Sequence, residues 1–494
     1  MPGSVVSRSS RGEKQNLAAP ISIIQDEGKI EAHDDTLPEI DPVEEKKLLA
    51  RVDVFLTPVI MLVYLCCFLD RSNIAGNVKV AGMPEDINAS SQEFSTAVSI
   101  FYATYVTFET PWALVLKKFT PRFVITGLCV VWSLTTIFSG FITNVGGLYA
   151  TRLLLGACEA GLFPSLNLYL TMVYRREEQA KRVSYLFVST AIAGAFGGIL
   201  AYGILFMDGI GGFAGWRWVY IIEGIFSVAC AIVVWFGLPN DMTKAYFLNA
   251  RERELMSLRA ERNKAYSGSE DFSWDEVKIA ATDPKTYISG GIQFCQDILL
   301  YGFSTFLPSI LTSMGHTGIE AQYLSVPVYI FGGICFVVFA LISDKLTMRG
   351  PFIFLANIFG LVGYILLLTV SNNAVKFFAT FLCAVSVYNG PGLNVTWINV
   401  SFSPHYRRAT AIGMQQTIGN TAGVVAGQIY RDAPYVLGHS FSLGSVVVAQ
   451  GLIVVYFFYL KHCDNLKLRI KNGEIEDKRK VKTGDWDLDF KYHL

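Results

Sequence analysis

Four charged residues sit where a membrane-length apolar run leaves little room for charge. Asp70 and Arg71 stand side by side in "FLDRSN", at the end of a stretch that is apolar from Val54 onward. Arg152 and Glu159 lie seven residues apart in "ATRLLLGACEAGLFPSLNLYL", close to two helical turns and roughly 10.5 Å along one face. A charge at the centre of a bilayer costs about 2.5 to 3.5 kcal/mol on insertion scales, so such groups face a cavity or one another. A guanidinium there offers a planar fork that matches a carboxylate. A carboxyl group there can hold a proton.

Other polar residues fall within apolar runs as well. Glu109 precedes Pro111 at a kink, where a helix-stabilising role and a transport role are both open. Gln293, Gln296 and Asp297 cluster in "QFCQDILLYGF" and are candidates to line a cavity; Asp297 lies 227 residues after Asp70. Tyr388, Asn389 and Asn394 surround Pro391 in "VYNGPGLNVTW", suiting either substrate hydrogen bonds or helix contacts. Asp344, Lys345 and Arg349 in "ISDKLTMRG" form a charged turn that could latch helix ends. Arg217 and Glu223 in "GWRWVYIIEG" read as structural.

Spacing leaves Asp70 and Arg71 between two readings: interfacial charges after a helix end at Leu69, or a buried site. The continuation "SNIAGNVKV" has no proline and permits about two more turns. Around Arg152 and Glu159, Gly156, Ala160 and Gly161 strip the surface of bulk, to admit a neighbouring helix or leave room for a ligand.

The elements that must position these groups are membrane helices. Apolar side chains make up 52% of the 494 residues and charged ones only 17%, a composition too apolar for a soluble enzyme of this length. Windows of about 20 apolar residues give twelve spans, centred near 64, 104, 133, 160, 193, 227, 298, 332, 361, 387, 419 and 451. The fold class is therefore all-α and polytopic, with lipid as the solvent for its outer surface.

A polar insert at 239–284 separates two six-helix halves, 49–238 and 285–462, flanked by polar tails at 1–48 and 463–494. "PSLN" from Pro164 recurs as "PGLN" from Pro391, which supports a duplication. Lys and Arg concentrate in alternate loops, including Lys117, Lys118, Arg175, Arg176, Lys181, Arg182, Arg407 and Arg408. The positive-inside rule then places both termini in the cytoplasm. Asn88, in an "NAS" sequon, falls on the opposite side, where glycans are attached.

Net charge is zero, with no concentrated basic face for nucleic acid. Eight of the nine cysteines lie in apolar runs without a CxxC pair, and read as small core residues rather than disulfides or metal ligands. No nucleophile-base pair, metal cluster or phosphate loop appears, so catalysis and a bound cofactor are not expected.

Taken together, the twelve spans and "SDKLTMR" resemble the major facilitator superfamily over about 45 to 465. "FLDRSNIAGN", "RLLLGACEAGLFPSLNLYLTMVYRREEQAKR", "GWRWVYIIEG" and "DFKYHL" are similar to the anion:cation symporter family, in its fungal allantoate-permease branch. "LKKFTPRF" departs from the superfamily's usual acid-containing loop between spans two and three. The resemblance implies that Asp70, Arg71, Arg152 and Glu159 lie at a central cavity where organic anion and proton bind.

The expectation is a monomeric, plasma-membrane, proton-coupled importer of a small carboxylate. Arg71, Arg152, Tyr388, Asn389 and Asn394 would meet the substrate, and Asp70 and Glu159 would carry protons, the only coupling ion. Nicotinate is favoured for its ring, with allantoate, pantothenate and biotin as alternatives. The rival is a transporter-like nutrient sensor signalling through its polar segments, whose removal should spare uptake if transport is the function.

Overall fold

The computed structural model describes residues 40–115, 119–267, 273–479 and 481–494. The expected N-terminal tail, up to residue 39, and Lys117 and Lys118 lie outside the described residues, as do the side chains of Arg176 and Lys181.

Except the one near 160, which falls in the short break between two helical pieces of one span, the predicted span centres fall within helices. In chain order these are α1 (Pro42–Ser72), α2 (Ser91–Val115), α3 (Pro121–Ser139), α4 (Val145–Glu159, continued as Leu162–Val173), α5 (Arg176–Leu205) and α6 (Gly215–Gly237). The second half comprises α7 (Pro284–Ser313), α8 (Gly318–Leu346), α9 (Gly350–Thr369), α10 (Asn373–Ser401), α11 (His405–Asn420, continued as Ala422–Ile429) and α12 (Val436–Lys471). No strand occurs among the described residues, as expected where every backbone group must be paired within its own segment.

Local sequence starts these helices where side chains can satisfy free amides. Asp41, Asn144, Asp283, Thr317 and Asn372 each accept a hydrogen bond from a backbone N–H of the first turn, and Pro42, Pro121 and Pro284 occupy first-turn positions that need no donor. Among the described residues, eight helices are individually long and apolar enough to cross a membrane. The four spans that are not, α2, α4, α10 and α11, are more polar or broken. Nearly all of α10 from Ala379 to Asn399 is buried by protein, so it does not need a lipid-facing apolar surface.

The first helix runs past Leu69. It continues to Ser72 and then widens into a π-helical turn at Ile74–Val78, a distortion that often accompanies functional sites. Within the first half, α1 packs against α5 and α6, α2 against α4, and α3 against α6; in the second, α7 packs against α11 and α12, and α9 against α10. The halves meet where α5 lies against α8, where α2 lies against α11, and where the π-helical turn touches α7.

Those meetings close the face opposite the termini. Gln92 and Ser99 of α2 hydrogen-bond Gln428 of α11, at 3.1 and 2.9 Å. Lys79 sits among the rings of Phe94, Phe306 and Tyr435, each within 5.7 Å of its ammonium. On the face carrying the termini, ion pairs among the described residues stay within one half and its adjoining segments, such as Arg182–Asp53 and Arg407–Glu276.

The segment read from the sequence as a polar tail from residue 463 begins inside α12, which runs on to Lys471. Past Lys471 the chain folds back under the second half, and Asp485 is fully buried against Lys285 and Arg407 at the starts of α7 and α11. Lys467 of α12 donates to the carbonyls of Asp485 and Phe490, and the Trp397 indole donates to the carbonyl of His493. Two buried cations share the Asp485 carboxylate and a third holds its backbone carbonyl, which makes this segment part of the fold of the second half.

Candidate functional site

Close packing brings α4 against α2. A Cβ on Gly156 would run into the Phe101 carbonyl and the Thr104 hydroxyl, so the small-residue surface of α4 serves helix approach. That approach sets Glu159, the last residue of the first piece of α4, opposite Arg71 of α1.

Arg71 Nε and Nη2 both donate to one Glu159 oxygen at 3.2 Å, and the Cys67 thiol donates to the same oxygen at 3.2 Å. The other Glu159 oxygen is buried without a hydrogen-bond partner among the described residues, and the side chain has no exposure. The guanidinium lies 4.7 Å from the Tyr105 ring centre and 5.2 Å from that of Phe101, distances at which a ring face attracts a cation. Nη1 has no hydrogen bond among the described residues.

Beside Arg71 lies a central void between the halves. The first half lines it with Tyr64, Phe68, Arg71, Tyr105, Phe163 and Thr190; the second lines it with Gln293, Asp297, Leu300, Tyr301, Gln416 and Asn420. Its free volume is about 20 Å³, room for one water molecule. A larger guest must therefore spread the walls.

Polar contacts on the second half hold these walls in place. Asn394 donates to Gln293 at 2.9 Å, and Gln293 donates to Asp297 at 3.0 Å. The Tyr301 hydroxyl donates to Asn420 at 2.6 Å, and Asn420 reaches Glu109 of the first half at 3.5 Å.

The expected site residues therefore separate into groups. Arg71, Gln293 and Asp297 line the void; Glu159, Asn394 and Glu109 contact residues that line it. Asp70 faces away, accepting from Ser227 of α6 at 3.0 Å, because adjacent helical residues point about 100° apart. Arg152 is turned to the Tyr220 hydroxyl at 2.6 Å and does not reach the void. Tyr388 packs against Gly332, Asn389 donates to the Val385 carbonyl of its own helix, and Gln296 donates to Asn357, so these three serve packing of the second half. The polar residues of α10 stand behind the wall formed by α7.

Arg217 is structural, tying α6 to Asp86 and to the carbonyls of Gly140 and Ile142. Among the described residues Glu223 has no ion-pair partner: it is fully buried, with no hydrogen-bond partner for either oxygen. Arg349 pairs with Asp344 and donates to Ser343 at 2.9 Å, while Lys345 is exposed and outside this contact. Asn88 is exposed, on the closed face, in a left-handed backbone conformation that asparagine tolerates.

Tyr64, Phe68, Tyr105, Phe163, Tyr301, Gln416 and Asn420 were not singled out from the sequence. Gln416 and Asn420, and likewise Asp297 and Tyr301, are four residues apart and share a helix face. That spacing was the available signal.

Residues 60–427 match the family described as Major Facilitator Superfamily. An uncharacterized transporter of Schizosaccharomyces pombe is 49% identical over 92% of this chain and 94% of its own length. The high-affinity nicotinic acid transporter of Saccharomyces cerevisiae is 32% identical over 88% of this chain and 82% of its own. Among solved structures, a D-xylose-proton symporter superposes with a TM-score of 0.60 at 14% identity, covering 80% of this chain and 97% of the symporter. A bacterial homologue of the lysosomal transporter Spinster, inward-facing and occupied, gives 0.61 at 16%, covering 85% and 97%.

Proposed function

This chain belongs to the Major Facilitator Superfamily and is a multi-pass membrane transporter; from that premise we propose that it imports a small ring-bearing monocarboxylate together with protons. The observation that carries this reading is Arg71, the one cation lining the central void among the described residues, with Nη1 unengaged and aromatic walls around it. A carboxylate pairs with the guanidinium, while a flat ring fits between Tyr64, Phe68, Tyr105 and Tyr301. The 32% identity to a nicotinic acid transporter supports nicotinate as the first candidate. The sequence distribution of Lys and Arg supports cytoplasmic termini, and the plasma membrane is the proposed location.

Coupling follows from competition for one guanidinium. When the substrate carboxylate takes Arg71, Glu159 loses its main partner in a place without exposure. A buried carboxylate left unpaired is costly, so a proton replaces the guanidinium on Glu159. Release toward the termini-bearing face reverses both events, and Arg71 and Glu159 pair again. Asp70, tied to Ser227 behind α1, stays out of contact with the anion.

Uptake of labelled nicotinate, allantoate, pantothenate and biotin by cells expressing the chain, at acidic and neutral pH with and without a protonophore, tests the reading. The expected result is acid-stimulated nicotinate uptake abolished by the protonophore. Uptake indifferent to both treatments would refute proton coupling, and no uptake of any carboxylate would refute the substrate class.

A further inference from the structure

We propose that Asp297 is a second proton-binding site, so that the loaded carrier moves two protons with each monocarboxylate and carries one net positive charge inward. The proposal rests on the anion-transport reading above and adds its charge balance.

Asp297 belongs to the half that does not contain Arg71, yet both side chains line the same void. One Asp297 oxygen accepts from Gln293 at 3.0 Å; the other lies against Gly419, where a Cβ would come within 2.5 Å of it, and has no hydrogen bond among the described residues. The charged and titratable groups around this void are Arg71 and Tyr64 from α1, Tyr105 from α2 and Tyr301 from α7 itself, with Glu159 of α4 and Cys67 of α1 behind Arg71, Tyr102 of α2 against Tyr301, and Glu109 of α2 behind Asn420. From α5 and α11 come only the neutral Thr190, Gln416 and Asn420. Arg71 is thus the only fixed cation among them, and a bound substrate carboxylate takes it.

A bound anion then faces Asp297 across a space that in the collapsed site has room for one water molecule. Two carboxylates so placed, with little water between them, repel strongly. One proton on Asp297 removes the repulsion and converts the group from an acceptor into a donor, able to hydrogen-bond the substrate carboxylate or a ring nitrogen. The first half thus supplies the cation and the second half a proton-loaded donor, and closure around the substrate needs both. In the balance, the site gains a monoanion and two protons, on Glu159 and Asp297, all taken from one face and released at the other.

The test uses the purified full chain in liposomes, with labelled nicotinate, pH equal on both sides and an inside-negative potential set by potassium and valinomycin. The wild type should accumulate nicotinate about tenfold for each 59 mV. Asp297→Asn should lose this response, and whatever proton-driven accumulation it retains should follow one proton per nicotinate, about tenfold per pH unit at zero potential. Wild-type accumulation indifferent to potential overturns the proposal, as does a D297N variant that keeps the response. If D297N does not yield folded protein, Asp297→Ser takes its place and is judged by the same loss of response. A wild type that moves no carboxylate under any gradient instead overturns the anion-transport reading.

Discussion

Arg71 and Glu159 are joined through two nitrogens and a single oxygen, both at 3.2 Å, while the second Glu159 oxygen is buried and unmatched. The pair is incomplete on both sides, since Arg71 Nη1 also lacks a partner among the described residues. A buried ion pair is weak evidence for stability, because desolvation offsets most of the attraction. It is well suited to exchange, because either partner can accept a substitute at little net cost.

Removing the cation should abolish binding. Arg71→Ala, and Arg71→Lys to a similar degree, should lower nicotinate uptake by about 100-fold or more, since one lost buried partner costs about 3–5 kcal/mol and lysine lacks the planar fork. Surface expression measured alongside uptake separates this from misfolding.

The ring beneath the guanidinium should set affinity. Tyr105→Phe keeps the face at 4.7 Å and should leave KM within about twofold, whereas Tyr105→Ala should raise KM about tenfold, as loss of about 1–2 kcal/mol of cation–π attraction implies. Concentration-dependent uptake by the two variants checks the difference.

How far the sequence revealed this site is clearest at "FLDRSN". Period and hydropathy identified two charges at the end of an apolar run, but not whether the helix continued. The structure continues it through a π-helical turn, which no apolar periodicity marks. Adjacency in the sequence suggested that Asp70 and Arg71 act as a pair. On a helix they point to different neighbours, one to Ser227 and the other to Glu159. The seven-residue spacing placed Arg152 and Glu159 on one face, yet the long arginine arm turns to Tyr220. Spacing along one helix says which face a residue occupies; it does not say which helix lies opposite, so Tyr301 and Asn420 went unremarked.

Close approach of α2 and α4 should be intolerant of bulk. Gly156→Val would strike the Phe101 carbonyl, at a cost of about 1–3 kcal/mol or more for overpacking. Thermal melting in detergent should fall, and the fraction of monodisperse protein with it.

The folded-back C-terminal segment should stabilise the second half. Asp485→Ala leaves Lys285 and Arg407 buried without their shared acid, a loss of about 3–5 kcal/mol. Melting temperature in detergent should drop clearly, and uptake per cell should fall in proportion to the folded protein present. Full stability in this variant would return the segment to the role of a loose tail.

The exchange of partners at Arg71 is tested most directly by Glu159→Gln, measured for proton-driven accumulation and for exchange of labelled nicotinate in the same liposomes. Glutamine keeps the volume and can still accept from Arg71, but it cannot take up the proton. Exchange should persist, while accumulation driven by a proton gradient at zero potential falls from about a hundredfold per pH unit to about tenfold, the value left by the one proton on Asp297. If E159Q concentrates nicotinate as the wild type does, Glu159 is not the proton site and the account is wrong.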